Sequence, residues 1–138
     1  MGSGKIKFKR PKDESKKFDL SDSKPSTEEL PPVFSFEYIQ SPYSHEECQP
    51  AEIVALVKKL CQLSKLSWRQ IKQSHRHGYG CEQIQQSSIK GVVIPKFITP
   101  DMTLLAFRFC GLAPMIGFRS ERIFHIVWLD RDFTLYKH

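Results

Sequence analysis

The sequence predicts an α+β domain: a helical hairpin packed on an antiparallel sheet of three or four strands, behind a disordered N-terminal tail. Three observations carry this. Apolar residues recur at helical spacing between Pro50 and Ser64, and again from Trp68. Alternating apolar stretches fill 104–129, broken by short turns. Residues 1–32 are polar, hold Pro11, Pro25, Pro31 and Pro32, and show no sustained period, which marks a tail or tether.

In chain order, the run Val33-Phe34-Ser35-Phe36-Glu37-Tyr38-Ile39 alternates aromatic with polar residues and reads as a strand. Residues 41–49 read as a loop, and Pro50 suits a first helical turn. From there Ile53, Val54, Leu56, Val57, Leu60, Cys61 and Ser64 form the expected inner stripe, with Lys58, Lys59 and Gln62 outside. A shorter helix begins at Ser67, with Gln70 completing a capping box, and Gly78 is its natural stop. Its inner stripe is Trp68, Ile71 and His75. Residues 89–94 read as a short strand ended by Pro95. Three strands follow at 104–110, 114–119 and 122–129 as a meander. About 106 residues remain for the body, enough for one core.

Lys and Arg number 21 against 15 Asp and Glu, and this surplus favours polyanionic partners. It is shared between a tail, with seven basic and two acidic residues in 1–17, and a body, with thirteen and nine in 33–138. Residues 18–32 between them are acidic, with Asp19, Asp22, Glu28 and Glu29 against Lys24. No apolar run has the length of a membrane span, and the N-terminus has no signal-peptide core and no myristoylation pattern. Cys48, Cys61, Cys81 and Cys110 form no CxxC pair, so free thiols in a reducing, cytoplasmic setting are expected.

A hairpin loop at Ser120-Glu121 and a three-residue loop at 111–113 set an expected register. Phe118 then opposes Ile123, Ile116 opposes His125, and Arg108 opposes Ile116. Leu105, Phe107, Phe109, Met115, Gly117, Phe124, Ile126 and Trp128 share the face that packs on the helices. Ala106, Arg108, Cys110, Ile116, Phe118, Ile123, His125 and Val127 share a mixed face. An imidazole and a guanidinium on one wet face suit phosphodiester cleavage. The 2′-hydroxyl attacks the adjacent phosphate, His125 or a C-terminal group moves the proton, and Arg108 and Arg119 stabilise the charge.

The β-α-α-β-β-β order, with Gly117-Phe118-Arg119 and Arg122-Ile123-Phe124 forming a basic hairpin, resembles the RelE/ParE-type toxins of toxin–antitoxin pairs. That resemblance covers 33–138 and is one of layout. It implies an RNA-cleaving or otherwise toxic small protein held by an acidic antitoxin. It also implies sheet arginines with a C-terminal histidine or tyrosine, hence Arg108, Arg119, His125, Tyr136 and His138 as catalytic candidates. The N-terminal tail and the pair Asp130 and Asp132 depart from the pattern, and the end of the chain also reads as a frayed tail.

Two non-catalytic readings stand beside it. A nucleic-acid-binding module would use the outer helix face of Lys65, Arg69, Lys72 and Arg76, with Arg122 at the hairpin. A protein-interaction domain would meet an acidic partner, the sheet face of Ile116, Phe118, Ile123 and Val127 needing a cover. His45-x-x-Cys48 and His75-x-His77-x-x-x-Cys81 do not reach the convergence a zinc site needs, so no metal or cofactor is expected. Gly78-Tyr79-Gly80 lacks a phosphate-loop ending and reads as a turn.

Overall fold

The computed structural model of the chain describes residues 26–74 and 79–137. The fold is α+β, and its sheet is larger and more mixed than the sequence suggests. Five strands run in the order β1-β5-β4-β3-β2: β1 Val33–Ser35, β2 Glu82–Ile84, β3 Leu104–Cys110, β4 Ala113–Ser120 and β5 Ile123–Leu129. All neighbours are antiparallel except β1, which lies parallel to β5 with Phe34 beside Phe124. A parallel pair needs a long crossover, here supplied by everything between the two strands. Strand β1 is shorter than expected because Ile39 N–H donates to Phe36 O, turning the chain off the edge after three residues.

Helix α1, Pro50–Leu63, starts as its proline suggests, and Gln49 N–H donates to Glu52 Oε1 at 2.7 Å. Helix α2, Trp68–Lys72, has the expected capping box, with Ser67 and Gln70 exchanging bonds of 3.1 and 2.9 Å. It is a single turn and a half, so the hairpin is lopsided: one long helix and a stub. The expected inner residue His75 and stop Gly78 lie outside the described residues. The stripe on α1 is also narrower than expected. Leu56 and Leu63 are buried, whereas Val54, Val57 and Cys61 are exposed, because the sheet lies under only one row of the helix.

The strand expected at 89–94 is absent, and the pairing strand is instead β2. Gly91 sits at φ +80°, which breaks an extended run, and Val93 is exposed. Both hairpin registers are also displaced. Gly111 (φ +59°) and Glu121 (φ +60°) take the left-handed turn positions. Cys110 therefore pairs with Ala113, Arg108 with Pro114, Ser120 with Ile123 and Phe118 with His125. Between the bulges each expected register moves by two residues, so side chains there keep their face. Cys110, beyond a register shift after Arg108, moves by one and packs on the helix side. One exception is instructive. A register shift between Ile116 and Gly117 puts Trp128 opposite Ile116, on the face away from the helices.

Two cores result, one on each side of the sheet. The helix side packs Leu56, Leu63, Trp68 and Ile71 against Phe107, Phe109, Met115, Phe124 and Ile126. The other face, expected to be mixed and in need of a partner, is closed by the chain itself. Ile84, Ile89, Ile98, Leu135 and Tyr136 cover Ala106, Ile116, Phe118, Val127 and Trp128 there. Residues 134–136 are no frayed tail: buried Asp130 accepts from Thr134 N–H and Leu135 N–H at 3.0 and 2.8 Å, docking Leu135 and Tyr136. The folded body also begins before residue 33. A 3-10 turn at Thr27–Glu29, capped by Ser26, packs on α2, and Pro32 is buried.

Candidate functional site

The catalytic constellation does not assemble. Arg108 pairs with Pro114 and His125 with Phe118, four positions apart along β4, or about 13 Å on strand geometry alone. Strand β4 also lies between them. His125 is 9% exposed, its ring stacked on Phe118 at 4.9 Å and met edge-on by Tyr38 at 5.1 Å. Its Nδ1 has no hydrogen-bond partner among the described residues. Arg108 donates to Leu112 O at 2.6 Å and lies 5.0 Å over the Phe133 ring, so its guanidinium closes the β3–β4 turn. Tyr136 is buried in the second core, and His138 lies outside the described residues.

What does come together is part of the expected basic face. Trp68 opens α2 fully buried, and Arg119, near the end of β4, lays its guanidinium 4.2 Å over the indole ring. Arg119 Nε donates to Glu121 O at 2.6 Å, which fixes the remaining edge of the guanidinium. Lys72, one helical turn on from Trp68, reaches the same spot. Between the two cations sits the carboxylate of Glu28, 2.8 Å from Lys72 Nζ and 2.6 Å from Arg119 Nη2. Arg69 pairs with Glu29, its Nε donating at 2.7 Å.

The backbone of the same acidic segment is held too. Trp68 N–H donates to Leu30 O at 3.1 Å, and Arg122 Nε donates to Pro31 O at 2.9 Å. Arg119 Nη2 also reaches Thr27 Oγ1 at 3.4 Å. Beside the clamp, Trp68, Lys72, Cys81, Gln83, Leu105 and Arg119 line a recess of about 370 Å³. Lys65 is exposed beyond the end of α1, and Arg76 lies outside the described residues. Neither the alternation of β4 nor the helical period of α2 signals that an acidic pair from residues 28 and 29 would fold onto this face. Only the charge reversal in 18–32 hinted at it.

The hydrogen bond from Lys72, followed by that from Arg119, outweighs burial and holds the Glu28 carboxyl below the ordinary glutamate value of 4.5. A depressed carboxyl pKa stabilises the contact above the ordinary value and loses that stabilisation as pH falls through the lowered one. Hydrogen-exchange protection of the Leu30 amide, whose N–H donates to Thr27 O, should therefore fall below about pH 4.5. The core amides of β4 and β5 should stay protected there. Unchanged Leu30 protection between pH 6 and pH 3 would contradict this.

Among the described residues no three His, Cys, Asp or Glu side chains converge as a metal site would require. No helix among them is long and apolar enough to cross a membrane. No protein-family model, curated protein or solved structure matches the chain.

Proposed function

We propose that this chain is a non-catalytic docking module that takes an acidic peptide segment of a partner protein across Arg69, Lys72 and Arg119. The observation that carries this reading is the Glu28 carboxylate seated between Lys72 and Arg119, on a guanidinium stacked over buried Trp68. A buried aromatic floor beneath a half-buried arginine is a pre-organised anchor, and aromatic and arginine anchors carry much of the energy of protein interfaces. The donors also match a peptide rather than a phosphate backbone. Two cation positions meet adjacent carboxylates, and a main-chain N–H, that of Trp68, meets a main-chain carbonyl. Separation of Arg108 from His125, and enclosure of the imidazole, weigh against ribonuclease chemistry. The free cysteines fit a reducing compartment such as the cytoplasm.

A fluorescent, Glu-rich peptide of about 12 residues tests the reading against single-stranded RNA of similar length and charge. The peptide should bind more tightly at physiological salt, and Arg69→Ala with Lys72→Ala, made in a chain that also carries Glu28→Gln and Glu29→Gln so that the clamp stands open, should weaken it roughly tenfold, about 1.4 kcal/mol. Both substitutions are on exposed side chains and leave the Arg119–Trp68 stack intact. Tighter binding of RNA would transfer the face to nucleic acid. Peptide affinity indifferent to the two substitutions would remove the site.

A further inference from the structure

Resting on the docking reading, we infer that residues 26–30 are a resident competitor: the chain's own acidic segment occupies the site, and a partner's acidic segment binds by displacing it. Every contact the partner would need is already made in cis. Glu28 fills the Lys72–Arg119 clamp, Glu29 takes Arg69, and Leu30 O takes the Trp68 amide.

The segment is also built to leave. Its 3-10 turn contributes no buried residue, and it is closed by Glu29 N–H to Ser26 O, Leu30 N–H to Thr27 O and the exposed cap of Glu28 N–H on Ser26 Oγ. The Arg69–Glu29 pair is about half exposed on both sides, and such pairs contribute little. Two residues later the anchoring changes character. Pro32 is buried, Arg122 Nε holds Pro31 O, and Val33 N–H donates to Arg122 O at 3.1 Å, stitching the chain to the sheet. Pro31-Pro32 thus forms a stiff hinge between a peelable turn and a fixed strand. A tether this short gives the resident segment an effective concentration on the order of millimolar, so a partner must bind the face more strongly to open it.

The full chain and the acidic peptide described above test this together. Glu28→Gln with Glu29→Gln should raise peptide affinity about tenfold or more. Glu37→Gln with Glu46→Gln, an equal charge change at exposed positions away from the clamp, should alter it by less than about twofold. Saturating the unsubstituted chain with peptide should strip hydrogen-exchange protection from the Glu29 and Leu30 amides. Peptide binding that depends on Arg69 and Lys72 but leaves those amides protected, with no gain in the Gln pair, overturns the competitor and keeps the docking reading. Absence of binding to both the unsubstituted chain and the Gln pair overturns both.

Discussion

Gly117→Ala is expected to destabilise the fold by about 4 kcal/mol or more, a large share of a small domain's total stability. A β-carbon built there lies 1.9 Å from His125 O, 2.9 Å from His125 C and 3.1 Å from Ile126 Cα. The obstacle is the backbone of the neighbouring strand, so no side-chain rotation relieves it. Strand β5 cannot retreat either, since β1 pairs with its far edge and cores cover both faces. Gly111→Ala is the control. It meets open space, and only its φ of +59° is strained, so it should cost about 1 kcal/mol. Urea unfolding of the two variants separates them. A Gly117→Ala chain within 1 kcal/mol of the parent would mean that β4 and β5 do not approach this closely.

Asp130→Ala is the second large effect, at about 3 kcal/mol. The carboxylate has no solvent exposure and accepts from two backbone amides, Thr134 N–H and Leu135 N–H. Removing it strands both donors, at about 1–3 kcal/mol each. It also frees a C-terminal cover whose Leu135 O accepts from Lys90 N–H at 2.7 Å. Chemical unfolding should show the loss, and amide exchange at Lys90 and Leu135 should rise before that of β4. Asp130→Asn keeps one acceptor oxygen and should lose less. Equal losses in the two variants would mean that the carboxylate's acceptors are not what docks the terminus.

The meander was legible because alternation survives a two-residue displacement: Phe107, Met115, Phe124 and Ile126 reach the helix side whichever turn is chosen. Helix starts were legible from Pro50 and from Ser67 with Gln70, which act within one turn. Trp128 was not, because a bulge between strands decides its face and leaves no mark in either strand alone. Parallel entry of β1 beside β5 is likewise a long-range choice that the pattern Val33-Phe34-Ser35 does not encode. For the site, the sequence supplied Arg69, Lys72 and Arg119 as cations and failed on their company. The carboxylates opposing them lie 40 or more residues away along the chain, in a segment that reads as tail. The Arg108 and His125 pairing failed for a different reason. It depends on where the turns fall, and the observed turns set the two residues four positions apart along β4.

The docking claim is tested most directly by mapping where an acidic peptide lands on the isotopically labelled full chain. Saturable NMR shifts should centre on the Trp68 indole, the Arg119 guanidinium, Lys72 and the amides of residues 27–30. Saturable shifts centred elsewhere, with the Trp68 and Arg119 signals unmoved, would contradict it.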